Sequence, residues 1–290
     1  MSGKSYTPEE VAKALNIKKN TVYELIKRGE LSAYRIGRKI RVDETAIVDY
    51  KGKMQSTGLQ SEKADKNTFV ISGQDVILDI LASRLEAANP GVKVLRSHKG
   101  SYNALYDLYN DVVNAATAHL WDGDTDSYNT TYVRSMLPGV PAAIFHLVKR
   151  FQGFYIKKGN PRNITGWNDL ARNDLVFVNR EKGSGTRVLL DERLRLMGVA
   201  PNTVNGYDTV AASHLQVVSS VARGFADYGL GIEKAVNQVG DLDFIPLQRE
   251  NYDIIIKAGD MDQPIIQSML KIIASDDYKN EVLILGGYEL

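Results

Sequence analysis

The 290-residue sequence contains no cysteine, and this absence excludes disulfide bridges, thiolate zinc sites and cysteine nucleophiles. Histidine is scarce as well: the chain has four, and none stands in an HExxH or comparable metal-binding spacing. A Gly-x-Ser-x-Gly nucleophile elbow is also missing. The sequence therefore offers no metal or cofactor site and no catalytic candidate, and we expect a protein that is not an enzyme.

Two further absences concern membranes. No apolar run is long enough to span a bilayer, and the polar residues 1–5, which include Lys4, do not resemble a signal peptide. We therefore expect a cytoplasmic protein without a membrane partner. Its hydrophobic content of 43% and charged content of 24% are ordinary for folded domains, and a chain of this length normally forms two or three of them.

The net charge of +1 conceals an uneven distribution of charge. Residues 1–66 contain 14 Lys and Arg against 9 Asp and Glu, whereas residues 67–290 contain 22 against 26. A local basic excess is expected of a segment that neutralises nucleic-acid phosphates, although many basic surfaces are simply solvated. The first part of the chain is thus the candidate for binding nucleic acid.

This first part has the pattern of two short helices followed by a hairpin. Thr7 is suited to cap a helix that starts at Pro8, and a second helix carries Val22, Leu25 and Ile26 at inward spacing. Two helices joined so tightly form a helix-turn-helix unit. Residues 31–42 then predict two short strands around a glycine turn, a wing, and residues 43–50 predict a third helix.

Four motifs define this segment: Tyr6-Thr7-Pro8-Glu9-Glu10-Val11-Ala12, Thr21-Val22-Tyr23, Gly29-Glu30-Leu31 and Tyr34-Arg35-Ile36-Gly37-Arg38. Together they resemble the excisionase and MerR-like winged helix-turn-helix family. In that family the second helix enters the major groove of double-stranded DNA, and the wing follows the backbone or the minor groove. The resemblance implies a DNA-binding domain over residues 1–53.

Candidate DNA-binding residues follow from the resemblance, on the second helix and the wing. They are Lys19, Asn20, Thr21, Tyr23, Lys27, Arg35, Arg38 and Arg41. The alternative is a helical interaction module whose lysines only face solvent. The next segment, residues 54–67, is rich in polar and small residues without sustained apolar periodicity, and we interpret it as a linker.

The remaining chain, residues 68–290, repeats a strand, a turn of small residues and a helix. Predicted strands cover residues 68–71, 92–95, 116–120 and 175–178, and predicted helices cover residues 76–85, 104–109 and 188–197. This rhythm is typical of an α/β domain with a mostly parallel sheet.

A glycine-rich turn, Gly183-Ser184-Gly185-Thr186-Arg187, precedes the last of these helices. Its backbone N–H groups and hydroxyls at the positive end of a helix make a natural anion cradle. The turn is neither a Walker A loop nor a dinucleotide-binding fingerprint. The simpler alternative is a serine-capped helix that follows a strand.

Five segments together resemble the periplasmic-binding-protein-like ligand domain of molybdate-type sensors. They are Ser72, Gly100-Ser101, His119-Leu120-Trp121-Asp122, the glycine-rich turn, and Ala226-Asp227-Tyr228-Gly229-Leu230-Gly231-Ile232. The resemblance covers residues 68–290 and implies a type II fold of two α/β lobes with a ligand cleft between them. Lobe two spans about residues 156–250, so the chain is expected to cross near residues 155–158 and to return near residues 252–257.

In this fold, donors at helix N-termini of both lobes hold a small oxyanion. The ligand-binding residues that the resemblance implies are Ser72, Ser101, Ser184, Thr186, Arg187, Ser213, Tyr228 and His119. For three of them another role is open: Arg187 pairs with a carboxylate, and Tyr228 and His119 are structural. The sequence departs from the usual family pattern at two places: Tyr102-Asn103 follows Gly100-Ser101, and Gln74 follows Gly73. These bulkier residues leave the ligand's identity open.

The two resemblances predict a one-component transcriptional regulator, a homodimer on DNA that senses molybdate or tungstate and needs no cofactor. A second hypothesis keeps this architecture but places an amino acid, carboxylate or pterin in the cleft, against Tyr102, Trp121 and Tyr228. A third hypothesis is an enzyme built on the same lobes, for which the sequence shows no acid/base pair.

Overall fold

The computed structural model describes residues 5–15, 19–27, 31–37, 39–47, 50, 67–236 and 239–290, and the side chains of residues 20, 27, 35 and 36 are also outside the description. The chain divides into two compact units, Met1–Asp65 and Lys66–Leu290, called here the head and the body. Residues 54–66 of the predicted linker lie outside the described residues. None of the described helices is both long and apolar enough to cross a membrane.

The head has the predicted winged helix-turn-helix order, with one additional short strand at its start. Its elements are β1 (Ser5–Tyr6), α1 (Pro8–Leu15), α2 (Lys19–Lys27), β2 (Tyr34–Ile36), β3 (Lys39–Asp43) and α3 (residues 44–47). Thr7 begins α1 as expected: Glu10 N donates to Thr7 Oγ1 over 3.3 Å, and Thr7 N donates to Glu10 Oε2 over 2.7 Å.

The two strands of the wing pair in an antiparallel hairpin, and β1 adds to its other side in the order β1-β3-β2. Gly37 stands at the turn with φ of +61°, a backbone conformation that favours glycine. The apolar faces of the elements meet in one small core: Val11, Ala12, Val22, Leu25, Leu31, Val42 and Ile47. The predicted inward residues Val22 and Leu25 are therefore confirmed as core.

The body contains ten described strands, of which eight form one sheet covered by helices and the other two form a separate antiparallel hairpin. Its strands are β4 (Thr68–Ser72), β5 (Lys93–Ser97), β6 (Ala115–Ala118), β7 (Trp121–Asp122), β8 (Ser127–Tyr128), β9 (Ala142–Lys157), β10 (Phe177–Arg180), β11 (Val210–Ala211), β12 (Tyr228–Ile232) and β13 (Leu242–Lys257). Its α-helices are α4 (Ile77–Ala88), α5 (Ser101–Tyr109), α6 (Thr130–Met136), α7 (Gly185–Met197), α8 (His214–Ala222), α9 (Glu233–Val236), α10 (Pro264–Ala274) and α11 (Asp276–Ile284). Short 3₁₀ helices cover Trp167–Ala171, Pro201–Thr203 and Ala258–Asp260.

The large sheet has the strand order β11-β10-β12-β9-β13-β6-β4-β5. Both flanks are parallel, as predicted, because β5, β4 and β6 run together at one side and β12, β10 and β11 at the other. The centre differs from the prediction: β9 and β13 are 16 residues long and pair antiparallel along their whole length. These two strands, called here the central pair, belong to both halves of the sheet.

Each half of the sheet has hydrophobic cores on its two faces, which defines two lobes. In lobe one, α4, α10 and α11 cover one face and α5 and α6 the other. In lobe two, α7 covers one face and α8 and α9 the other. The strand β9 already pairs with β12 at Gln152, and Tyr155 is in a lobe-two core, so the chain enters lobe two before the predicted residues 155–158.

Several predicted element bounds shift in ways that matter for the site. Helix α5 begins at Ser101 rather than residue 104, and α7 begins at Gly185 rather than residue 188, because their first turns are polar or small and show no apolar periodicity. Strand β10 ends at Arg180 instead of residue 178. The buried, charged Arg180 is thus the last residue of a strand that the sequence pattern predicted to be apolar throughout.

Candidate functional site

A small cavity lies between the two lobes, where strand ends and helix starts meet. It is lined by Gly73, Gln74, Asp75, Lys99, Gly100, Ser101, Thr117, His119, Arg150, Arg180, Ser184, Thr186, His214, Ile232 and Tyr252. The cavity volume available to the centre of a water molecule is about 20 Å³. A single water needs roughly 10–15 Å³ by this measure, so the space suits a small polyatomic ion better than a drug-sized molecule.

Three helices, of 9, 13 and 9 residues, begin at this cavity. Ser101 is the first residue of α5, Ser184 is the N-cap of α7, and His214 is the first residue of α8. The first N–H groups of a helix have no partner within the helix and carry the positive end of its dipole. Helix starts from both lobes therefore direct partial positive charge toward one point.

The lobes touch beside the cavity through glycines. Tyr102 N of lobe one donates to Gly183 O of lobe two over 2.9 Å. A Cβ built on Gly100 would lie 2.7 Å from both Gly183 O and Ser184 Cα. Only a residue without a side chain permits this approach, so the described conformation is a closed cleft.

Arg180 supplies a buried cation at the lobe-two side of the cavity. Its side chain is completely buried, and its Nε and Nη2 donate to Glu181 over 2.7 and 2.8 Å. Within the part of the chain that the structure describes, Arg180 Nη1 has no hydrogen-bond partner. A buried guanidinium N–H without an acceptor is costly, so this atom is a candidate for binding an anionic oxygen.

The floor of the cavity is a network of buried polar and ionic groups centred on Arg150 and Glu250 of the central pair. Arg150 Nε donates to Glu250 Oε1 over 2.6 Å, and Arg150 Nη1 donates to Asp75 Oδ2. His119 Nδ1 lies 2.8 Å from Glu250 Oε2, and Tyr288 OH donates to Asp75 Oδ1 over 2.8 Å. Both carboxylates are therefore already engaged by protein donors.

The electrostatics of the floor keep its charges in place. Burial alone raises the pKa of Glu250, but the His119 ring and the Arg150 guanidinium outweigh it and hold this pKa below its usual value. Burial raises the pKa of Tyr252, beside Arg150, to about 12. Burial, together with Arg180, Arg150 and His119, lowers the pKa of His214 well below its usual value, so His214 is neutral.

The predicted hydroxyls differ in how free they are to bind a ligand. Ser101 Oγ accepts from His119 N over 3.3 Å, which leaves its own hydrogen uncommitted. Ser184 Oγ donates to Glu181 O over 2.9 Å and accepts from Arg187 N, and Thr186 Oγ1 bonds the Gln152 amide. Ser72 Oγ is buried with no hydrogen-bond partner among the described residues, but Ser72 is not among the residues that line the cavity.

Three further predicted ligand residues also lie outside the cavity lining. The Arg187 guanidinium donates to Asp191 over 3.0 Å and stacks on Tyr207 at 4.2 Å. Arg187 therefore pairs with a carboxylate, which was the alternative to ligand binding. Ser213 Oγ caps α8 by accepting from Gln216 N, and its neighbour His214 lines the cavity instead. Tyr228 is buried against Phe154 and Phe177, and its hydroxyl donates to Asp169 O.

The aromatic residues proposed for an organic ligand do not line the cavity. Tyr102 is 46% exposed on the outer side of α5, and Trp121 is buried in a lobe-two core. Sequence reasoning missed the cavity residues Gln74, Arg150, Arg180 and His214. Of these four, only Gln74 was noted in the sequence, as a departure from the usual family pattern after Gly73. No group of three or more His, Asp and Glu side chains that could hold a metal occurs among the described residues.

The head presents the predicted DNA-reading helix α2 with a polar outer face. Lys19 and Tyr23 are one helical turn apart and exposed, and Lys19 Nζ pairs with Glu9. Thr21 is half-buried on α2, and Arg41 is half-buried on β3 of the wing. The positions of the Asn20, Lys27 and Arg35 side chains, and all of Arg38, lie outside the described residues. The DNA-binding roles remain predictions.

The fold and cavity define a class: a helix-turn-helix DNA-binding domain joined to a two-lobed ligand-binding domain. Residues 5–54 match the family model of a helix-turn-helix domain, and residues 82–274 match that of the PBP superfamily domain. The chain belongs to the PBP superfamily, with a helix-turn-helix head. YvgK of Bacillus subtilis is 43% identical over 296 residues, which cover 98% of this chain and 95% of that relative.

Solved structures share the fold at low sequence identity. A protein of Clostridium perfringens, described as a phosphate ABC transporter substrate-binding protein with bound phosphate, superposes with a TM-score of 0.58 at 15% identity. The match covers 77% of this chain and all of that one. OxyR of Corynebacterium glutamicum, in a peroxide-bound variant, gives a TM-score of 0.54 at 14% identity and covers 96% of this chain and 89% of its own. The domain combination indicates a ligand-responsive regulator.

Proposed function

We propose that this protein is a transcriptional regulator that binds a small tetrahedral oxyanion in the interlobe cavity, with molybdate or tungstate as the preferred ligands. The observation that carries the proposal is Arg180 Nη1, a buried cationic donor that has no partner among the described residues and stands at a cavity where helix starts from both lobes meet. Donors at helix N-termini bind anions, and Arg180 adds a cationic donor whose charge is shared with Glu181. The Ser101 hydroxyl supplies a further free hydrogen.

The hydrogen-bond acceptors at the cavity decide whether a protonated oxyanion fits as well as an unprotonated one. Hydrogen phosphate retains a hydroxyl at neutral pH and needs an acceptor for it. Asp75, the carboxylate that lines the cavity, already accepts from Arg150, Tyr288 and Ile77 N. Phosphate, which the Clostridium perfringens structure contains, is the competing ligand, because the neutral His214 lines the cavity and its buried Nδ1, which has no hydrogen-bond partner among the described residues, accepts that hydroxyl in the tautomer protonated on Nε2.

The oxyanion proposal is tested by thermal unfolding of the full chain with sodium molybdate, tungstate, sulfate or phosphate. A ligand at 100 times its Kd stabilises the folded state by about 2.7 kcal/mol, which is a shift of several degrees in Tm. Ser101→Ala should reduce the shift. If none of the four anions moves the Tm, the proposal fails, and mass spectrometry of the denatured protein would then reveal an organic ligand.

The DNA-binding part of the proposal is that the head, in a homodimer, reads two half-sites on DNA in the cytoplasm. The oxyanion regulates this binding only if it prefers one conformation of the body over another. Sedimentation of the full chain with and without duplex DNA measures the stoichiometry. One head per duplex at saturation would contradict the dimer.

A further inference from the structure

One side chain reaches across the mouth of the cleft. Gln74 follows β4 in lobe one, and Arg180 ends β10 in lobe two. Arg180 Nη2 donates to Gln74 Oε1 over 2.7 Å, and Gln74 Nε2 donates to Glu181 Oε1 over 3.2 Å. Gln74 thus joins the lobes through both ends of its amide.

The same guanidinium connects this bridge to the cavity. Arg180 Nη1 lacks an acceptor among the described residues, whereas Nη2 holds Gln74 and Glu181. A guanidinium is planar and rigid, so the orientation that serves Gln74 also fixes where Nη1 points. The atom assigned to the ligand and the atom that bridges the lobes cannot move independently.

We propose that Gln74 is a positioning residue that acts through Arg180: by bridging the closed lobes, it holds Arg180 Nη1 toward the oxyanion. The inference rests on the proposed function and extends it to the coupling between binding and closure. Because the coupling is reciprocal, a bound anion that fixes Arg180 also strengthens the bridge to Gln74. Binding then stabilises the closed lobes.

The chemistry of the amide explains why glutamine stands here. Its oxygen accepts from Arg180 while its nitrogen donates to Glu181, and a carboxylate would repel Glu181 instead. Gln74 is also exposed, so its replacement leaves the hydrophobic cores intact. The variant Gln74→Ala therefore removes the bridge without a cavity in the fold.

The experiment measures anion binding by calorimetry and dissociation rates by stopped-flow on the full chain, with whichever of molybdate, tungstate, sulfate and phosphate binds most tightly. We expect Gln74→Ala to weaken binding about tenfold, mainly through faster dissociation, because an open cleft releases its ligand. The ligand-free Tm should stay unchanged. The matched control is Gln267→Ala, which removes an exposed glutamine that donates to Met261 O, and it should bind like the parent.

A double-mutant cycle separates positioning from a general effect. Arg180→Lys keeps the charge but loses the planar fork, so adding Gln74→Ala to it should cause little further loss if Gln74 acts through Arg180. Additive losses, an unchanged Kd in Gln74→Ala, or a matching fall in ligand-free Tm would each overturn the inference. If the parent chain binds none of the anions, the proposed function fails instead.

Discussion

Arg150 and Glu250 form a hydrogen-bonded ion pair of 2.6 Å although their side chains are only 3% and 1% exposed. Removing one partner of a buried pair leaves an uncompensated charge, which costs about 3–5 kcal/mol. We expect Glu250→Ala to be at the low end, because Asp75 still accepts from Arg150. Chemical unfolding measures the loss. The control Glu281→Ala, which breaks the exposed pair with Arg84, should change stability little. Equal effects of the two variants would contradict the prediction.

His214 should make the body less stable in acid. Its folded pKa lies below the unfolded value of about 6.5, so below that pH the unfolded chain takes up a proton that the folded chain refuses. The free energy of unfolding then falls by up to about 1.4 kcal/mol for each pH unit. Between pH 7.5 and 5.5, His214→Asn should flatten the fall in Tm. The exposed His98→Asn should not, and parallel profiles for the parent and His214→Asn would refute this reading.

Gly100→Ala should prevent full closure of the cleft. The added Cβ would meet backbone atoms of Gly183 and Ser184 at 2.7 Å, whereas the φ of −67° at Gly100 suits alanine. We expect a folded protein with a reduced anion-induced Tm shift and at least tenfold weaker binding, on the order of one or two lost hydrogen bonds. Gly259→Ala is the control, because nothing lies within 4 Å of its Cβ. A parent-like Kd in Gly100→Ala would show that closure is not required.

Lys19→Ala should weaken DNA binding in a salt-dependent way. If Lys19 contacts a phosphate, its loss reduces the slope of log K against log salt concentration by about 1. Fluorescence anisotropy with a nonspecific duplex measures the slope. Lys271→Ala, an exposed lysine of the body, should leave the slope unchanged. An unchanged slope for Lys19→Ala would remove Lys19 from the interface.

The sequence was informative where small residues dictate backbone geometry. The glycine-rich turn predicted the start of α7 to within three residues, and Ser101 and Ser184 were predicted near helix starts, because capping and glycine preferences are local. Ser213 was located at the start of α8 as well, but the neighbouring His214 is the one that lines the cavity. Local pattern finds a helix terminus more readily than the side chain that faces inward.

The charged floor of the site was not predictable from the same pattern. Arg150 and Glu250 are 100 residues apart, and each gains its partner only when β9 and β13 pair. Charged side chains are normally exposed. The arginine two residues after the predicted strand 175–178 therefore indicated that the strand had ended, and not that Arg180 is a buried donor within β10. Long-range pairing decides these positions, and a single sequence does not display it.

The central pair carries Arg150 and Tyr252 into the cavity while its ends belong to different lobes. Any change in the angle between the lobes must bend these two strands near Arg150 and Tyr252, which lie beneath the ligand cavity. The hinge between the lobes and the floor of the ligand cavity are therefore the same backbone segments. A different ligand would contact this hinge directly. A substitution of Arg150 chosen to change ligand affinity would therefore also change how easily the lobes open.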